Sequence, residues 1–103
     1  MGAGTAGITS IRSYNFFLDT VIAGAGVYAD NGPKLFIDPD GTNFVSQTIL
    51  FANDAASDIW FSFNGVDDHG RVKAGETLQM DFRREKRIWF RGTPADAYRF
   101  WAW

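Results

Sequence analysis

Few residues in this chain have the types and spacing that catalysis would need. The single histidine, His69, stands in "VDDHGRV" beside Asp67 and Asp68. A histidine acting as general base needs a positioned partner and a pocket. The serines Ser57 and Ser62 precede it, and neither lies in a Gly-x-Ser-x-Gly elbow. His69 is therefore expected to be a solvated residue of a strand-connecting loop, and no catalytic residue is assigned. Asp38 and Asp40 in "DPDG" offer oxygen ligands, but a calcium loop also wants a distal bidentate acid, and no Glu stands at that distance. Asp, Pro and Gly in this order form a type I turn. No metal and no cofactor are expected, and the chain is read as non-enzymatic.

The basic run "RREKRIWFR" raises nucleic acid as a partner, because Lys and Arg interleaved with aromatics can hold a single strand by charge and stacking. Glu85 interrupts the run, and the chain as a whole is acidic. Strand alternation would send Ile88 and Phe90 to one side and Trp89 and Arg91 to the other. A charged hairpin tip accounts for the run, and nucleic acid is not expected. No glycine-rich loop of the kind that cradles phosphate is present.

The tryptophans are the stronger signal. Trp60, Trp89, Trp101 and Trp103 all fall in strand-like segments. In "IWFSFNG", Ile59, Phe61 and Phe63 share one face and Trp60 and Ser62 the other. In "YRFWAW", Trp101 and Trp103 lie opposite Tyr98, Phe100 and Ala102. If Phe and Ile face the core, a row of Trp faces outward. Such a row serves as a protein interface or a stacking platform for sugars, unless the sheet is covered on both sides and the Trp are core. The interface reading is adopted.

These side chains must be carried by short strands. Apolar runs recur about every ten residues between Gly, Pro and Asp turns: "KLFID", "NFVSQTILFAN", "IWFSFNG", "TLQMDF", "RIWFRG" and "YRFWAW". This spacing predicts an all-β fold, a single small antiparallel sandwich or barrel. In "TLQMDF" the alternation places Leu78, Met80 and Phe82 on one face and Thr77, Gln79 and Asp81 on the other. "GAGVYADNGP" reads as loop, and "ITSIRSYNFFLDTVIA" fits a strand pair or a short helix equally. The start, "MGAGTAG", is small and glycine-rich. Residues 1–11 are therefore expected to form a flexible arm whose Ile8 and Ile11 clamp a neighbouring subunit, with residues 12–103 as the sandwich domain.

Composition agrees with one small domain. The chain has 103 residues, 46% hydrophobic and 17% aromatic. Ten Phe, four Trp and three Tyr are more than one thin core should hide, which again points to contact surfaces. Cysteine is absent, so neither disulfides nor thiolate sites are available. No apolar run is long enough for a membrane-spanning helix, and Ala6 stands where a myristoylation signal wants Ser or Thr, so no membrane partner is expected. Acids predominate up to His69 and bases after it, a division that would suit head-to-side packing of identical subunits unless both halves mix in space.

The stretch "ILFANDAASDIWFSFNGVDDHGRVKAGETLQMDF", followed by "RIWFRG" and "YRFWAW", resembles a strand-and-turn pattern of small virion structural proteins of tailed bacteriophages. The resemblance covers about Gln47 to Trp103. It implies a head decoration or cement subunit that works as a homo-oligomer in the virion, after assembly in the host cytoplasm. Its partners would be the major capsid protein or other virion proteins. Alternatives are a head-tail or collar component, or a carbohydrate-binding or host-attachment β-module using exposed Trp.

Overall fold

A computed structural model describes residues 16–103. It is an all-β sandwich. Its elements are β1 (Phe16–Val21), a single helical turn α1 (Tyr28–Asn31), β2 (Lys34–Leu35), β3 (Thr48–Asn53), β4 (Ile59–Ser62), β5 (Gly70–Val72), β6 (Thr77–Asp81), β7 (Arg87–Arg91) and β8 (Ala97–Ala102). One four-stranded sheet runs β1-β8-β3-β6 and the other β2-β7-β4-β5, with every pairing antiparallel. Only β4 and β5 are joined within one sheet; the other connections cross between the layers.

The core follows from period-two alternation. On β8 every second residue, Tyr98, Phe100 and Ala102, is wholly buried, as are Ile88 and Phe90 on β7. Ile49 and Phe51 of β3 and Ile59 and Phe61 of β4 fill the same layer. Aromatic rings carry much of the packing. Phe90 lies 4.7 Å from Tyr98, 4.8 Å from Phe51 and 5.3 Å from Phe100, centroid to centroid. The core thus absorbs Phe far better than composition suggested. Phe36, Phe51, Phe61, Phe90 and Phe100 are buried, Phe16, Phe44 and Phe63 pack against them, and only Phe17 and Phe82 are exposed.

Buried Asn53 ties the connection after β3. Its amide donates to the Ser57 and Val72 carbonyls, both at 2.9 Å, and its side-chain oxygen accepts from the Ala55 N–H. "DPDG" forms its turn, with Gly41 N–H donating to the Asp38 carbonyl at 2.8 Å.

Several expectations need correction. "NFVSQTILFAN" is extended and paired as a ladder only from Thr48; Asn43 makes one bridge, to Ile37. "GAGVYADNGP" contains α1, which buries Tyr28 and Asn31. "ITSIRSYNFFLDTVIA" contributes the strand β1 within the described residues. Phe82 does not join Leu78 and Met80 inside. The β6 ladder ends at Asp81, and Phe82 turns away at φ 60° and is 89% exposed. The arm expected over residues 1–11, with Ile8 and Ile11, lies outside the described residues.

Candidate interaction surface

The four tryptophans do not form one row. Trp60 and Trp89 belong to the β2-β7-β4-β5 sheet, whereas Trp101 lies in β8 of the other sheet and Trp103 directly follows that strand. All four are half-buried, and Trp60, Trp89 and Trp101 alternate with the buried residues of their strands.

On the β2-β7-β4-β5 sheet, register places Trp60 between Arg91 of β7 and Arg71 of β5. The two guanidiniums lie 4.7 Å and 5.4 Å from the Trp60 ring centroid, so the indole is flanked by cations on both sides. Each arginine is held in turn by a carboxylate. Asp58 is 3.5 Å from Arg71. Asp68 takes Arg91 bidentately at 2.9 Å and 2.6 Å and also accepts from the Tyr28 hydroxyl. Arg91 first, and then Tyr28, hold the Asp68 carboxyl down at about 2. Burial, reinforced by the bond to Asp68, pushes the Tyr28 hydroxyl well above its ordinary value. Asp68 is therefore a junction of three elements, not the free loop acid that "VDDHG" suggested.

That junction shapes its loop. Residues 63–69 fold back over the sheet instead of projecting from it. Ser62, an outward-facing position, is 0% exposed because the loop covers it. Its hydroxyl accepts from the N–H groups of Asn64 (3.2 Å) and Gly65 (2.9 Å). Gly65 lies against Trp89 at φ 77°, so close that a Cβ there would stand 2.8 Å from the indole. On Trp89 the Arg87 guanidinium sits 5.4 Å from the ring.

His69 serves the same loop. Its Nδ1 accepts from the Phe63 N–H at 2.9 Å, and its ring stacks on Phe63 at 5.6 Å. The Phe63 ring also carries the Arg83 guanidinium, 4.0 Å from its centroid. Among the described residues, no group of three or more His, Asp or Glu is placed to hold a metal ion.

The outer face of the β1-β8-β3-β6 sheet is more apolar. Phe17, Trp101 and Leu50 are cross-strand neighbours in one row. Phe17 and Trp101 are 5.0 Å apart, and Phe17 is 49% exposed. The Arg99 guanidinium lies 5.5 Å from the Trp101 ring and is bound bidentately by Asp54 at 2.7 Å and 3.0 Å. Trp103 is tied by its backbone to Thr48 and Gln47.

Sequence reasoning missed the pairing of Trp60, Trp89 and Trp101 with arginine; for Trp60 the partners come from other strands, whereas Arg87 and Arg99 precede Trp89 and Trp101 by two residues on the same strand. The available signal was the "xWx" and "RxW" alternation in "RIWFR" and "YRFWAW", which puts Arg and Trp on one face of the same or adjacent strands. No family model matches the chain, and no curated protein or solved structure matches it either.

Proposed function

We propose that this protein is a non-enzymatic structural subunit of a virion, a capsid decoration or cement protein that binds a head shell as a homo-oligomer. The observation that carries this reading is that both outer faces of the sandwich bear Trp set among carboxylate-bound Arg. Trp and Arg dominate the energetics of protein contacts. Side chains already fixed by their neighbours lose little freedom on docking, which leaves more of the contact energy as affinity. A subunit with adhesive faces on opposite sides can touch two neighbours at once. On a symmetric shell, modest contacts of that kind multiply into tight attachment. The resemblance of residues 47–103 to small virion proteins supports the same class. A sugar platform fits less well at Trp60, whose ring is flanked by guanidiniums and not bare.

The test is co-expression with the coat protein encoded nearest to its gene, followed by sedimentation of the shells and measurement of the free protein's mass by light scattering. The protein is expected to travel with the shells, and Trp60→Ala to lower its occupancy while leaving the fold intact. A strict monomer at high concentration that never sediments with shells would overturn the reading.

A further inference from the structure

Two kinds of basic side chain occur among the described residues. Arg71, Arg83, Arg91 and Arg99 each have a carboxylate close by, at 3.5, 2.9, 2.6 and 2.7 Å. Arg84, Lys86 and Arg87 have none within 4 Å among the described residues. These three stand together at the β6–β7 connection. Residues 83–87 carry four cations and one anion, so the rest of a chain at −2 overall is left with a net charge of −5. Glu85, the one acid there, is engaged by Arg83. A concentrated positive site on an otherwise acidic protein is an unmet electrostatic demand.

The three cations surround a hollow. Together with Val45, Phe63 and Glu85 they line a groove of about 320 Å³. A second hollow of about 180 Å³, walled by Asn43, Phe44 and Val45, shares Val45 and Lys86 with the first. The two hollows therefore adjoin at these residues, and together they form a trough more cationic on one side and richer in apolar side chains on the other. Its floor is fixed by buried Ser46. The Ser46 hydroxyl donates to the Arg83 carbonyl at 2.5 Å and accepts from Glu85 N–H at 3.0 Å, and its own N–H donates to the Glu85 carbonyl at 2.7 Å. The loop's main chain is anchored at Ser46, and of its basic side chains Arg83 is engaged, by Glu85 and the Phe63 ring, while Arg84 and Lys86 are not drawn into holding it.

We propose that this trough binds a short acidic, partly apolar peptide segment of a partner protein. Carboxylates on the segment pair with Arg84, Lys86 and Arg87, and an adjoining apolar side chain lies against Val45 and Phe44. Guanidiniums suit carboxylates because two N–H groups meet two oxygens in parallel. Nucleic acid suits the site less. The Phe63 face is taken by Arg83 and His69, so no bare ring is offered for base stacking. The cations span five residues and do not follow a track, and the −5 remainder repels a long polyanion. The proposal concerns this protein alone and stands or falls separately from the shell reading.

The test uses the full chain and a fluorescein-labelled hexapeptide alternating Glu and Leu, followed by anisotropy at low and high salt. Controls are the Gln–Leu counterpart, a labelled oligothymidine of similar charge, and inorganic phosphate as competitor. The Glu–Leu peptide is expected to bind at least about tenfold tighter than the Gln–Leu peptide, and less tightly as salt rises. Arg84→Glu combined with Lys86→Glu should abolish that preference, and Arg84→Gln with Lys86→Gln should weaken it. Lys73→Glu, an exposed cation at the far end of the sandwich, should leave it unchanged. Unaltered thermal melts would show that the variants fold. Equal binding of the two peptides, full affinity in the double variants, tighter binding of oligothymidine, or complete competition by phosphate would each overturn the proposal.

Discussion

Two loops lie at the same end of this sandwich and are held in opposite ways. The loop over residues 63–69 is held by its own side chains. Asn64 Oδ1 accepts from the N–H groups of Val66 and Asp67, Asp67 accepts from Asn64 Nδ2, His69 accepts from Phe63, and Asp68 reaches Arg91 and Tyr28. The loop over residues 82–86 is held by its backbone, through Ser46, and its Phe82, Arg84 and Lys86 side chains face solvent. A polar side chain engaged in fixing its own loop is not available to a partner. A side chain whose loop is fixed through the main chain is both positioned and free. The first loop is thus architecture and the second is a recognition surface, although the first contains the residues that look more chemical.

The sharpest break of the first loop is Gly65→Ala. The residue sits at φ 77°, which costs an alanine about 1–2 kcal/mol. The added Cβ would also meet the Trp89 indole at 2.8 Å, and overpacking adds roughly 1–3 kcal/mol. A loss of about 2–5 kcal/mol in urea unfolding is expected, with Trp fluorescence reporting the displacement of Trp89. A stability within half a kcal/mol of wild type would show that the loop is not anchored on Trp89.

Ser46→Ala removes the side-chain support of the second loop while leaving the backbone bonds to the Glu85 and Lys86 carbonyls in place. It leaves the Glu85 N–H without an acceptor and the Arg83 carbonyl without a donor, at a cost of about 1–2 kcal/mol. Hydrogen exchange should rise at Glu85 and stay unchanged over residues 63–69. Equal loosening of both loops would mean that they form one unit and that the contrast between them is false.

How much of this was legible depends on the range of the interaction. The strands β6, β7 and β8 were readable because each alternates strictly, with one face buried in β7 and β8 and half-buried in β6, so residue type gives orientation. Phe82 misled for the same reason. It continues the inward beat of Leu78 and Met80, but the ladder stops one residue earlier, where no partner follows Asp81↔Thr48. The strand β5 was hidden because three residues carry no period. Trp60, Trp89 and Trp101 lie on the faces that alternation gave them; the arginines beside Trp89 and Trp101 follow from the same alternation, but the Arg71 and Arg91 flanks of Trp60 depend on register between strands. The Tyr28–Asp68–Arg91 junction joins residues 40 and 23 positions apart, and no local pattern encodes it.

Asp68→Asn tests that junction with a smaller effect. The pair is partly exposed, so solvent screens it and the loss at neutral pH should be about 1 kcal/mol or less. The pH dependence gives the cleaner signature. The Asp68 carboxyl titrates at about 2 in the folded protein, below its ordinary 3.8. Its contribution is therefore complete above about pH 4 and is lost as pH falls through 2. The stability gap between wild type and Asp68→Asn should be constant from pH 7 to 5 and narrow between pH 4 and 2. A gap that stays constant down to pH 2 would remove Asp68 from the junction.

The smallest effect is expected at the residue that most resembles a catalytic group. His69→Ala removes one acceptor, for the Phe63 N–H, and one stacked ring. Both contacts are at the surface: His69 is exposed, and water can replace Nδ1 on the N–H. Phe63 keeps its packing on Phe61 at 5.6 Å and its cation from Arg83. The β5 ladder is preserved because the bond from residue 69 to the Phe61 carbonyl uses the backbone. The loss should stay under about 0.5 kcal/mol, the usual range for a surface change. His69→Gln, which can still offer an acceptor, should fall between the two. A loss above 1.5 kcal/mol, measured by the same urea unfolding, would mean that the Phe63–His69 stack closes the end of the core. The first loop would then owe its anchoring to an aromatic contact and not to its polar side chains.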